Sequence, residues 1–181
     1  VGPPLYKAAA VVSVRQQIRE RDLASALYLR LSPAERAVFD DVTATEWMSV
    51  ADAERIYVAA APLLHAGRTQ QVRLVGRDIA RAHLNGLYRC ILRAMTVPLL
   101  LEQTARLWGT YNRKGKLAAA VSDVPRCAQV TLEGYPDYPA ALRDVLAGYI
   151  LGSIELTGAR DGRVVHDDMD PARWRYTVTW R

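Results

Sequence analysis

His166, Asp167, Asp168 and Asp170 crowd into the final turn of the sequence. An imidazole and carboxylates so close together could hold a divalent cation. The same residues suit a tight hairpin turn, where Asp side chains bond backbone groups two residues on. The turn is the simpler reading, and no metal site is assigned. Arg73, Arg77 and Arg81 recur every fourth residue, with Arg89 and Arg93 continuing the rhythm. That spacing puts them on one helix face, where they could meet an anion or an acidic partner. A solvated face with local salt bridges is the plainer alternative. His65 and His83 have no His or Cys at ligand spacing and read as satisfied polar residues. Cys90, among Leu87, Ile91 and Ala94, reads as a buried, inert thiol. No serine sits in a Gly-x-Ser-x-Gly elbow, and no phosphate-binding glycine loop occurs. No catalytic residue is therefore assigned, and the chain is expected not to be an enzyme. What remains is aromatic. Trp108, Tyr111, Tyr149, Trp174 and Tyr176 concentrate in the C-terminal half, with Trp180 beyond them. They could line a pocket for a planar or lipid-like ligand, or form the core between a helix and a sheet.

The elements that must carry these residues follow from patterning. Residues 8–20 and 23–31 read as helices. Ser32-Pro33-Ala34-Glu35 is a helix start, with Ser at the cap, Pro at the first helical position and Glu three residues on. Ser49 to Asp52 repeats the cap logic and leads into a helix over 53–64, which Pro62 and Gly67 help to close. A long helical stretch is expected over 69–95 with Gly86 near its middle. Pro98 marks a boundary, and a further helix runs from Leu99 to Tyr111. The texture then changes. Segments 117–121 and 128–133 suit strands around a turn at 122–125. Ala140 to Leu156 reads as an apolar helix with Gly148 and Gly152 four apart, which allows close approach of another backbone. Arg163–Asp167 and Trp174–Trp180 are the closing strands. In the latter Trp174, Tyr176, Val178 and Trp180 alternate with polar residues and define one buried face. Helices followed by hairpin, helix and hairpin give an α+β fold, with N-terminal helices packed on a C-terminal antiparallel sheet. One domain over 1–181 is expected, helical over about 8–112 and sheet-bearing over about 116–181.

Bulk properties narrow the function classes. The 181 residues are half apolar, enough to bury a sizeable core. The net charge of +5 comes from 24 basic and 19 acidic residues that are scattered. With no nucleic-acid motif, that balance argues against a nucleic-acid partner. No apolar run is long enough for a membrane span, no leader segment is evident at Val1-Gly2-Pro3-Pro4, and two cysteines imply no disulfide framework. The expected compartment is the cytoplasm.

Several stretches resemble a family of small proteins of unknown function, expanded as paralogues in myxobacteria. They are Leu107-Trp108 with Tyr111, Gly115 and Leu117, the turn Leu132–Pro136, the helix Leu146 to Gly152, and the tail Val164-Val165-His166, Asp170-Pro171-Ala172 and Val178-Thr179-Trp180. That family is similar in layout to 4-vinyl-reductase-type sensory domains, haem–nitric-oxide-binding domains and TRAPP vesicle-tethering subunits. The resemblance implies helices on one face of an antiparallel sheet, a pocket between them, and roles in sensing, binding or assembly. The chain departs from these relatives. Trp174 stands where the sensory relatives carry a hairpin Cys, which argues against a thiolate-metal site. The haem sensors' Tyr-x-Ser-x-Arg motif does not occur, which argues against haem, and no cofactor is assigned. In TRAPP relatives a buried helix Cys can carry an acyl chain; Cys90 is the position to compare. The expected function is a non-enzymatic, ligand-sensing or regulatory binding module, a homodimer through its helices with a small apolar ligand or a signalling partner. The alternative is an interaction subunit of a regulatory complex, around a small GTPase.

Overall fold

The structure, a computed structural model, describes residues 4–84, 87–170 and 172–181, with the side chains of residues 87–89 outside the description. The chain opens with β1 (Leu5–Lys7), then α1 (Ala9–Glu20), α2 (Ala24–Tyr28) and α3 (Pro33–Asp41). Strand β2 (Trp47–Ser49) pairs antiparallel with β1, Lys7 opposite Trp47. Helices α4 (Val50–Leu64), α5 (Gln71–His83), α6 (Leu87–Ala94) and α7 (Val97–Tyr111) follow. The C-terminal part is β3 (Lys116–Val121), β4 (Cys127–Glu133), α8 (Ala140–Leu156), β5 (Arg163–Asp167) and β6 (Arg173–Thr179). The α+β expectation, helices packed on a C-terminal antiparallel sheet, describes this arrangement.

Local chemistry explains the starts of α3, α4 and α7. At α3 the Ser32 hydroxyl accepts from the Glu35 amide (3.3 Å), and the Glu35 carboxylate accepts from the Ser32 amide (2.7 Å). Two otherwise unpaired donors are satisfied reciprocally. At α4 the Ser49 hydroxyl accepts from the Ala51 amide, so the helix begins at Val50, ahead of the expected 53. Pro62 sits inside the last turn of α4 instead of ending it. Pro98 likewise opens α7, where a missing amide costs nothing because first-turn amides have no intrahelical partner. The stretch expected as one helix over 69–95 is two, α5 and α6; the Gly86 expectation falls outside the described residues.

The four-stranded sheet runs β3-β4-β6-β5, antiparallel throughout. Its register puts Leu132 opposite Trp174, Val130 opposite Tyr176 and Ala128 opposite Val178. All six are buried, so one face of the sheet is core and the alternation read in β6 holds. Trp180 lies one residue beyond that strand and is half-buried.

Helix α8 lies between the sheet and α5, and glycines set the α5–α8 distance. A Cβ on Gly148 would lie 1.8 Å from the Arg73 carbonyl oxygen, and one on Gly76 would lie 2.0 Å from that of Val145. The backbones therefore touch where only hydrogen fits. Along the same seam Arg73 pairs with Asp144 (3.1 Å), while Arg77 and Arg81 pair with Glu155 (2.7 and 3.0 Å). None of the described helices is long and apolar enough to cross a membrane.

Candidate functional site: an apolar cavity between the helices

A cavity of about 480 Å³ opens between α1, the end of α5, α6, α7 and α8. Its floor is aliphatic: Leu100, Leu117, Leu142, Val145 and Leu146 line it and are buried. By the cost measured for closed core cavities, a sealed void of that size would cost on the order of 10 kcal/mol. An open mouth lowers the figure. Even so, well-packed domains keep few such spaces, and a concave apolar space with few polar groups is the usual form of a ligand site.

Helix periodicity explains the α7 wall. Leu100, Thr104, Leu107, Trp108 and Tyr111 follow the helical repeat and share one side. Trp108 is anchored, its indole N–H donating to the Lys114 carbonyl (3.1 Å), with Tyr138 edge-on to its ring at 6.0 Å. At the mouth Ile91, Leu107 and Tyr111 are exposed, an apolar rim that water does not favour.

The polar groups around the cavity are largely committed elsewhere. The Thr104 hydroxyl donates to the Leu100 carbonyl (2.9 Å), the Tyr138 hydroxyl to that of Leu142 (3.3 Å), and the Asn112 amide to that of Trp108 (3.5 Å). His83 has Nε2 at 3.4 Å from the Ala9 carbonyl and its ring edge-on to Tyr149. Burial holds its pKa below the usual value, against a smaller upward pull from Ala9. Burial also raises the Tyr149 hydroxyl well above its ordinary range, so it stays neutral.

Of the aromatic residues proposed from sequence, Trp108, Tyr111 and Tyr149 line this cavity. Trp174 and Tyr176 do not. They point into the helix–sheet core, the Trp174 N–H donating to the Tyr135 carbonyl (2.7 Å), with the Arg143 guanidinium 4.2 Å over its ring. The alternation in β6 marks both residues as inward-facing, but inward there means under α8, away from the cavity. Sequence reasoning missed Tyr6 and Lys7, because a three-residue strand carries no readable period. It weighed His83 only as a satisfied polar residue.

The other candidates resolve as follows. Arg73, Arg77 and Arg81 share a face as expected, but that face is turned to α8 and its acids. His166 lies between Asp168 (2.8 Å from Nδ1) and Asp144 (3.3 Å from Nε2), beside Arg73 and Arg143. Asp167 and Asp170 accept from the amides of Met169 and Ala172, as a turn requires. Among the described residues no cluster of His, Cys, Asp or Glu is arranged to hold a metal. Cys90, within α6, is exposed, contrary to the expected buried thiol.

No family model matches the chain, and no curated protein sequence does. Its fold is that of H-NOX proteins. The Fe(II) unliganded H-NOX protein from K. algicida superposes with a TM-score of 0.66 at 5% identity, over 97% of this chain and 96% of that one. A mutant H-NOX of T. Tengcongensis gives 0.59 at 16% identity, over 97% of each chain. A structure from work on haem distortion in the H-NOX family gives 0.58 at 16% identity, over 97% and 95%.

The chain's own residues do not fit a haem. Axial haem ligands are His, Cys, Met or Tyr; among the described lining residues His83 is the one imidazole and Met95 the one thioether, while burial holds the hydroxyls of Tyr6, Tyr138 and Tyr149 protonated. The less hindered nitrogen of His83, Nε2, faces the Ala9 carbonyl and not the open space. The α7 wall presents Gln103 and Thr104, and Lys7 is the one Lys or Arg among the described lining residues to meet two propionates.

Proposed function

We propose that this protein is a non-enzymatic sensory or regulatory module that binds a small, predominantly apolar ligand other than haem in the cavity bounded by α7 and α8. The observation that carries the reading is the cavity itself. It combines aliphatic walls, five tyrosine and tryptophan rings, an apolar rim, and Thr104 and Tyr138 hydroxyls already bonded to the backbone. Such a site offers burial and shape, with no nucleophile–base pair. The H-NOX fold supports it, since it is shared with proteins studied with haem, and the sequence resemblance to the myxobacterial paralogues and vinyl-reductase-type sensory domains points the same way. A cytoplasmic, homodimeric protein whose ligand alters a helix-borne interface belongs to the same proposal. The interaction-subunit alternative, with its TRAPP likeness, draws on the exposed apolar residues Ile91, Leu99 and Leu107.

The test is titration with the neutral apolar fluorophore N-phenylnaphthylamine. Saturable binding at one site per chain is expected. Thr104→Phe, which fills the cavity from a half-buried helix position, is expected to weaken it by at least about tenfold, or ~1.4 kcal/mol. Absence of saturable binding to the folded protein, or equal binding by wild type and variant, would contradict the proposal.

A further inference from the structure

We infer that the cavity's ligand carries an anionic group, held at the cavity's edge by Lys7 of its wall and the neighbouring Arg113. This rests on the apolar-ligand reading above and specifies its chemistry. The small sheet brings the two cations together. Lys7 pairs with Trp47 across β1–β2, Tyr6 bridges to Asn112, and the Arg113 amide donates to the Leu5 carbonyl (3.1 Å). The Lys7 ammonium lies 4.8 Å from the Trp47 ring centre and the Arg113 guanidinium 4.1 Å from it. One indole thus holds two positive charges. A cation over an aromatic face gains little at an exposed site, and the like charges repel.

Among the described residues neither cation has an acidic partner, although their surroundings contain acids. Glu46, next to Trp47, turns its carboxylate to the Thr43 amide (2.6 Å). Asp137 is taken by Lys114. The pair is therefore charged, positioned and unneutralised. Lys7 is also part of the cavity wall, Arg113 stands beside it on the Trp47 ring just outside the lining, and the wall beyond is predominantly apolar, with Leu142 and Leu146 in it. An elongated ligand whose head lies at Lys7 buries its body against that wall. A carboxylate there gains two charge-assisted contacts and relieves the repulsion of the pair. A neutral head gains neither.

The experiment is calorimetric titration of the full chain at low salt with decanoate, decanol and acetate. Decanoate is expected to bind about tenfold more tightly than decanol, with acetate too weak to measure. In the double variant Lys7→Gln/Arg113→Gln the decanoate-to-decanol ratio is expected to fall to about one, while Lys116→Gln, which removes a similar charge from β3, keeps it. Equal binding of decanoate and decanol by the wild type would overturn this inference and leave the apolar cavity standing. So would an unchanged ratio in the double variant, read beside its circular dichroism to establish folding. Acetate binding as tightly as decanoate would make the cations a bare anion site and overturn it too. Failure of both decanoate and decanol to bind would overturn the cavity reading and this inference with it.

Discussion

His83 shows how burial converts one side chain into a constraint on the whole fold. Its imidazole lines the cavity, and desolvation lowers its pKa. His65 is lowered by the same first cause, with the Asp78 carboxylate at 3.3 Å pulling upward but poorly aligned for a hydrogen bond. Both imidazoles are therefore kept neutral by folding. Below the unfolded value, about 6.5, the unfolded chain binds protons that the folded one refuses, so stability falls as pH drops through that region and gains nothing from these groups above it. Denaturation midpoints measured at about pH 7 and about pH 5 should show this loss, and His83→Gln should reduce it. An equal loss in wild type and variant would mean that His83 titrates alike in both states. The sequence marked His83 as polar and lone. It could not show burial, because that comes from Ala9 and Tyr149, distant in the chain.

Elements were legible where the signal is local and illegible where it is a crossing. The Ser32–Glu35 box, the alternation in β6 and the apolar run of α8 can be read directly from spacing. Gly148 and Gly152 announced a close approach, yet not its partner, which is α5. The arginine stripe was visible as a stripe; that it faces Asp144 and Glu155 required knowing that α5 lies on α8. Strands β1 and β2 were missed since three residues carry no period, and with them went Lys7. The glycine seam yields a paired prediction. Gly148→Ala should destabilise by about 3 kcal/mol, because a Cβ cannot fit against the Arg73 carbonyl and the helices must part. Gly109→Ala, in α7 with open space around the new carbon, should stabilise by about 0.5–1 kcal/mol. Thermal melts of the two variants decide it; a stable Gly148→Ala protein would show that the seam yields.

At the scale of the molecule, α8 covers the sheet, α5 locks onto α8, and α1, α6 and α7 enclose what is left open. The cavity is thus the remainder of that packing, walled by residues from both halves of the chain. This is why a resemblance in the last part of the sequence could imply a pocket without naming its near wall, and why Trp174 and Tyr176, inward-facing by alternation, belong to the core and not to the lining. A ligand seated there touches α1, α7 and α8 at once, so binding should stiffen the join between the helical part and the sheet-bearing part. The most direct test is methyl-resolved NMR during titration with N-phenylnaphthylamine. The methyl signals of Leu100, Leu117, Leu142 and Leu146 are expected to shift together and saturate, while Val121 and Val165, exposed on the sheet, stay in place. Shifts confined to those exposed valines, or none that saturate, would contradict the cavity reading.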